Sequence, residues 1–556
     1  MLDEIASALQ RALAEVAGAW EVEGDPVTAE LRASQRPDQG DFFSSAALEL
    51  APRAGRKPRE VAQAVAERLQ LPPTVERVEV AGPGFLNFFL GRAWLEDALR
   101  RCLEEGSEYG RCADGAGERV QVEFVSANPV GPLHVGNVRG GPFGDVLASL
   151  LAFTGHEVER EYYVNDSTDN TQYRLFGASL RLRYLQELGE EVEYPEDHYR
   201  AEYIQEWARE LVQEHGEALR DVPDDPEGYV RFADLLLPRV LEQIQGDLRD
   251  LGIEYDVWFS ERALHASGAV QREVERLLAT GSAYEREGAV WLRTTEYGDD
   301  EDRVLIRSGG AAPTYIASDC AYAQDKLARG FERLIYVLGP DHAGYVPRMQ
   351  ATFGAMGVPL DHVELILSQI VRFLRHGEPV RLSKRKGQVI MLRELLDEIG
   401  RDATRFHFLT RSMDAHMDFD IELAKQHSEE NPVYYVQYAH TRTCGIFRRA
   451  EERGFSFAAE GLDLALLAHP AELAVLRKIA DFPAEVLAAA RQRAPHRLTT
   501  FARDLARLAH QFYGPCKVLD PEAPELSAAR LALVQGVQAV LATTCRLLGI
   551  AAPERM

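Results

Sequence analysis

Between Val120 and Phe153 the chain commits to one local fold. The β-formers Val120–Val125 run into a turn built from Asn128, Pro129, Gly131 and Pro132. His134-Val135-Gly136-Asn137 then opens an apolar-periodic stretch that predicts a helix from about Val135 to Phe153. A strand, a Pro/Gly turn and a helix start aim free backbone N–H groups and the positive end of the helix dipole at one point, which suits a phosphate. Gly136 leaves room for a flat ring or a phosphate against the backbone, and His134 adds a side-chain donor. A strand-turn-helix holding one histidine is also a common structural unit. A second phosphate-type loop, Arg381-Leu382-Ser383-Lys384-Arg385-Lys386-Gly387, tips the reading towards a nucleotide site over a merely solvated basic loop.

At 556 residues the chain is too long for one core, and about three domains are expected. Residues 1–112 read as a small α+β domain, opened by an amphipathic helix. Its strands Arg77–Val80 and Phe85–Leu90 flank the turn Gly82-Pro83-Gly84. Ala113–Glu118, rich in glycine and charge, reads as a linker. From 118 to 425, strands alternate with helical patterns, which predicts a parallel sheet with crossover helices. The acidic, helical stretch of about 180–300 interrupts that alternation as an insertion. From 426 to 556 the pattern is almost wholly helical, predicting an α-helical bundle.

No run of about 18 apolar residues is evident that would span a membrane, and the acidic start Met1–Ile5 is unlike a signal peptide. Six scattered cysteines, without a Cys-x-x-Cys pair, point to the cytoplasm and away from a zinc site. A net charge of −26 argues against unspecific affinity for RNA, yet not against a shaped RNA site served by a local basic face such as 381–386 or 442–453. Lysine supplies only seven of the 62 basic residues, and two of the seven stand in Ser383–Gly387. Where arginine is the default cation, that pair points to a need for compact, mobile point charges.

The order and spacing of the two loops resemble those of class I aminoacyl-tRNA synthetases, whose signatures read His-Ile-Gly-His and Lys-Met-Ser-Lys-Ser. The surrounding words narrow the resemblance to the arginyl-tRNA synthetases: Glu123–Asn128, Tyr162–Asp166, Tyr336–His342, Asn431–His440 and the terminal Ala552–Met556, all in family order. The fold this implies is a multidomain α/β one, with a Rossmann-type catalytic domain, a small N-terminal domain reading the tRNA elbow and a DALR-type helical anticodon-binding domain. The activity it implies is ATP-dependent ligation of arginine to tRNA(Arg), with magnesium on the ATP, no zinc, activation that needs bound tRNA, and a cytoplasmic monomer.

By that resemblance His134, Gly136, Asn137, Ser383, Lys384 and Lys386 serve ATP, with Lys384 at the pyrophosphate. Asn137 stands where the signature has its second histidine, and Arg381 where it has its first lysine. Glu123 and Asp319 would hold the substrate guanidinium, with Tyr315 packed against it, while Asn128 and His342 take the α-amino and carboxylate groups. The residues alone also allow Tyr315 in a core and Glu123 on an exposed strand. Phe85 and Asn87 match tRNA-elbow positions, or a core Phe and a turn Asn. Tyr435, Tyr438 and Met556 match positions near the anticodon, although an aromatic pair on one helical face also fits a core. Within the class, a cysteinyl-type enzyme lacks support from these cysteines. An RNA-binding protein that has lost activation is favoured only by Asn137, and a small-molecule adenylyltransferase leaves the flanking domains unexplained.

Overall fold

The structure is a computed structural model that describes residues 2–34, 39–309, 313–380, 390–456, 458 and 461–556. The chain forms two compact units. One comprises Met1–Tyr109, Thr443–Phe482 and Arg507–Val540, the other Gly110–Arg442, Pro483–Ala506 and Leu541–Met556. The helical tail is therefore divided between both.

In the first unit the strands β1 (Arg32–Ala33), β2 (Phe42–Ser44), β3 (Val75–Ala81) and β4 (Phe85–Leu90) form an antiparallel sheet of order β1-β2-β4-β3. Alternation along β4 sets its two faces: Leu86, Phe88 and Leu90 are buried, packing with Ile5, Leu9 and Leu13 of helix Leu2–Ala19. Phe85, Asn87 and Phe89 point the other way.

The second unit is built on five parallel strands: β5 (Arg119–Phe124), β6 (Glu157–Val164), β7 (Val257–Ser260), β11 (Arg333–Leu338) and β12 (Val363–Leu367). Their order is β12-β11-β5-β6-β7. The central strands β5 and β11 are largely buried on both faces, as a sheet covered by helices on each side demands. Successive strands run outward from β5 through β6 to β7 and, in the other direction, through β11 to β12. The order thus reverses between β5 and β11, where ligands bind in such folds.

The expected helix Val135–Phe153 is two helices, Val135–Val138 and Gly140–Phe153. At the junction the buried Arg139 donates to the carbonyls of Gln369, Ser412 and Ala415 at 2.5, 2.9 and 2.8 Å, pinning the first loop to segments far along the chain. Helices Glu261–Ala266 and Ala269–Thr280 keep part of the second half of 180–300 helical, but the all-helical part ends at Asp250. Beyond it lie β7, which joins the central sheet, and the hairpin β8 (Ala283–Arg286) and β9 (Ala289–Leu292). That hairpin pairs with β10 (Arg303–Ile306). The hairpin turn Glu287-Gly288 takes positive φ at both residues, as a two-residue hairpin of this twist requires.

Beyond Asp420 the described residues hold helices and no strand. The last helix, Pro524–Leu548, is long and apolar enough to cross a bilayer by length and average composition, although polar residues interrupt its apolar run. Most of its apolar window is buried, because bundle neighbours cover it on several sides.

Candidate active site

The backbone leaves β5 through two residues in left-handed conformations, Val125 (φ 69°) and Ser126 (φ 39°). For a β-branched valine this is strained, and the surroundings over-determine it. The Tyr163 amide donates to Ser126 Oγ at 3.1 Å, Ser126 Oγ donates to Glu123 at 3.1 Å, and the Tyr162 hydroxyl donates to the Ala127 carbonyl at 2.9 Å. The turn so held opens into a cavity of about 1160 Å³ at the carboxyl ends of β5, β6, β11 and β12.

His134 caps the short helix Val135–Val138, its Nδ1 accepting from the Gly136 amide at 3.1 Å. A Cβ on Gly136 would lie only 3.1 Å from the His134 ring, so glycine lets that ring fold back over the turn. Gly131 (φ 156°) is more constrained still: a Cβ there would meet the Tyr203 ring 2.6 Å away. His134, Gly136 and Asn137 all line the cavity, as do Asn128, Tyr315 and His342. The nucleotide-side and amino-acid-side candidates thus meet in one space.

Ser383, Lys384 and Lys386 lie outside the described residues. The segment that follows them does not: the Val135 amide donates to the Ile390 carbonyl at 3.0 Å and the Leu392 amide to the Leu133 carbonyl at 2.8 Å. The two loops expected to share a nucleotide therefore have their flanks zipped together.

Tyr315 begins the helix Tyr315–Ala328 and is 57 % exposed, which excludes the core alternative. One turn on, Asp319 is partly buried and accepts from the Tyr345 hydroxyl. Burial, with Glu261 and Glu123 nearby, pushes its carboxyl up to about 7. No cation lies within ion-pair distance of it among the described residues. Glu123 is 8 % exposed, not a surface strand position. It accepts from Lys326 Nζ at 2.7 Å and from the Tyr322 hydroxyl at 2.9 Å. Glu123 and Asp319 sit just behind the cavity lining, not on it. Asn128 donates to Gln172 at 2.8 Å, and Asn170 caps the helix that carries Gln172. His342 is exposed in the turn after β11, near Asp341.

Lys326, Tyr322 and Tyr345 were not foreseen from the sequence. A signal existed for the first two. Tyr315, Asp319, Tyr322 and Lys326 repeat at helical spacing along one helix, and Lys326 is one of the few lysines.

Of the RNA-side candidates, Phe85 is partly exposed and meets Phe43 edge-on at 5.7 Å. Asn87 is a buried strand residue, neither in the apolar core nor in a turn. Both lie on the sheet face away from that core. Tyr438 is exposed and stacks on Tyr434 at 6.2 Å, Tyr435 is partly buried, and Met556 is exposed. Among the described residues no group of three or more His, Cys, Asp or Glu side chains is placed to hold a metal ion.

Three protein families match this chain in series. "Arginyl tRNA synthetase N terminal domain" matches residues 3–90, "tRNA synthetases class I (R), catalytic domain" residues 98–418, and "DALR anticodon binding domain" residues 436–556. The arginine–tRNA ligase of Desulforamulus reducens is 46 % identical over 519 residues, spanning 93 % of this chain and 92 % of that protein. That of Carboxydothermus hydrogenoformans is 44 % identical over 554 residues, spanning 100 % and 98 %. Among solved structures, a putative arginyl-tRNA synthetase from Campylobacter jejuni aligns with a TM-score of 0.73 at 32 % identity, covering 84 % of this chain and 100 % of that one. The Thermus thermophilus arginyl-tRNA synthetase gives 0.76 at 24 % identity, covering 99 % and 100 %, a likeness of fold.

Proposed function

The chain belongs to the arginyl-tRNA synthetase family and is an arginine–tRNA ligase that uses ATP, and on that premise we propose how its own residues divide the work. The observation that carries the reading is a carboxylate, Asp319, held by Tyr345 one turn from the cavity-lining Tyr315, with no cation in ion-pair contact among the described residues. A carboxylate withdrawn from water without a counter-charge is costly, and a cationic ligand relieves the cost. The guanidinium of arginine, a planar fork of donors, fits Asp319 and Glu123 together. Tyr315 packs against it, and Asn128 and His342 hold the α-amino and carboxylate ends.

In the first step a carboxylate oxygen of arginine attacks the α-phosphorus of ATP, forming the mixed anhydride arginyl-adenylate and releasing pyrophosphate. Such a step depends on alignment and on neutralising charge that grows on the leaving group. His134, Gly136 and Asn137 line the space for ATP, with Ser383, Lys384 and Lys386 on the second loop, and Lys384 contacts the pyrophosphate. Mg²⁺ enters with ATP as part of the substrate. In the second step the terminal hydroxyl of tRNA(Arg) attacks the arginyl carbonyl and AMP departs. Asn137 donates a hydrogen bond without carrying charge, so activation leans on the lysines.

Phe85 and Asn87 contact the tRNA elbow, a stacking ring beside an amide, while Tyr435, Tyr438 and Met556 face the anticodon. The domains follow as 1–112 for the elbow, 118–425 for catalysis and 426–556 for the anticodon. The enzyme works as a cytoplasmic monomer, its compartment supported by six cysteines that form no disulfide.

Amino-acid-dependent pyrophosphate exchange, run with each amino acid with and without tRNA, tests this reading. Exchange with arginine alone, and only with tRNA present, supports it. Exchange with another amino acid, or arginine exchange indifferent to tRNA, contradicts it.

A further inference from the structure

Behind the amino-acid side of the cavity lies a buried charge cluster. Lys326 is wholly buried, its Nζ 2.7 Å from Glu123 Oε2 and 3.9 Å from Glu161 Oε1. The ammonium also sits over two aromatic faces, 4.1 Å from the Tyr322 ring centre and 3.9 Å from that of Tyr336. The Tyr322 hydroxyl reaches both carboxylates, Glu123 at 2.9 Å and Glu161 more closely. Arg329 meets the other Glu161 oxygen at 2.7 Å. Two carboxylates and two cations therefore face one another across β5, β6 and the C-terminal part of the helix Tyr315–Ala328 with its cap Arg329.

Glu123 is consequently not a loose acceptor. One of its oxygens is fixed by the ammonium and by Tyr322, and the other is tied to Ser126 Oγ in the strained turn. We propose that Lys326 is a positioning residue for arginine specificity: by clamping Glu123 Oε2 and offsetting Glu161, it fixes the direction in which Glu123 meets the guanidinium. The inference rests on the reading that Glu123 contacts the substrate guanidinium. Lys326 itself touches no substrate, because it is wholly enclosed and absent from the cavity lining.

A compact ammonium suits this place better than a guanidinium. It fits between two ring faces while donating to a carboxylate, where a planar fork would need more room. Burial lowers the Lys326 pKa, with Glu123 and Glu161 opposing that fall and Arg329 adding to it. The same positive charge also draws down the carboxyl of Asp319, against Glu261 and Glu123, which raise it, while Tyr345 stabilises its charged form.

The test is pyrophosphate exchange by the full enzyme with tRNA, comparing Lys326→Met, Glu161→Gln, the Lys326→Met/Glu161→Gln double variant and Glu123→Gln. Loss of the ammonium is expected to raise the KM for arginine about tenfold or more while the KM for ATP stays within about twofold. The pH below which arginine affinity falls should move upward, since Asp319 loses a nearby positive charge. Glu161→Gln in the Lys326→Met background should recover part of the arginine KM, because it removes the like charge that Lys326 offset. Should Lys326→Met fail to fold, Glu161→Gln alone decides. It leaves Lys326 to Glu123 and should keep or lower the arginine KM, whereas a clear rise would overturn the proposal. Parallel rises in both KM values for Lys326→Met, or no recovery in the double variant, would also overturn it. If Glu123→Gln leaves the arginine KM unchanged, the contact reading for Glu123 is what fails.

Discussion

The hydroxyl of Tyr345 donates to the carboxylate of Asp319, an acid with which no cation among the described residues forms an ion pair. Because burial and the charges of Glu261 and Glu123 lift its carboxyl to about 7, Asp319 changes protonation inside the physiological range. Its folded pKa lies above the unfolded value near 3.9, so protonation relieves the folded state and the relief is lost as pH rises through about 7. A guanidinium reverses the preference by pairing with the charged form. Arginine should therefore raise the melting temperature more at pH 8 than at pH 6, and Asp319→Asn should abolish most of that difference. A ligand-induced shift equal at both pH values in the native enzyme would contradict the assignment.

Lys384→Ala should slow arginine activation by about a hundredfold or more with little change in the KM for arginine, since a cation on the departing pyrophosphate acts mainly in the transition state. Single-turnover formation of arginyl-adenylate reads this directly. Equal losses in rate and in arginine affinity would remove Lys384 from that role.

Gly131→Ala places a Cβ against the ring of Tyr203, whose hydroxyl donates to the Val130 carbonyl at 3.3 Å. Either the ring or the turn must shift, and a displaced turn would cost about 1–3 kcal/mol and be felt at His134 three residues on. Urea unfolding and the KM for ATP should worsen together. An unchanged denaturation midpoint would show that the ring gives way freely.

Phe85→Ala and Tyr438→Ala should each raise the KM for tRNA by about tenfold and leave the KM for ATP unchanged, because a stacked base is worth about 1–3 kcal/mol. Aminoacylation kinetics at varied tRNA concentration measure both effects. An effect on ATP instead would assign these rings to folding.

How far the site could be read in advance depends on the scale of each signal. The strand–turn–helix at 120–153 was legible because its period changes abruptly and its turn chemistry is distinctive. The break at Arg139 was not, since the residue keeps helical φ and ψ and its side chain reaches carbonyls hundreds of residues away. The strand β7 is only four residues long, and the acidic helices before it masked its pattern. Exposure separated the open alternatives for Tyr315 and Glu123, which spacing could not do. The stripe Tyr315, Asp319, Tyr322, Lys326 was present at helical spacing, yet its meaning emerges only once β5 sets Glu123 and β6 sets Glu161 opposite it.

The central claim is that the carboxylates of Glu123 and Asp319 read the positive charge of the substrate side chain. Calorimetric titration of the enzyme with arginine and with citrulline, its uncharged near-isostere, tests that most directly. The account predicts binding of arginine and binding of citrulline weaker by about a hundredfold or more, because buried charged acceptors would lose their cation. Comparable affinity for the two amino acids would contradict it.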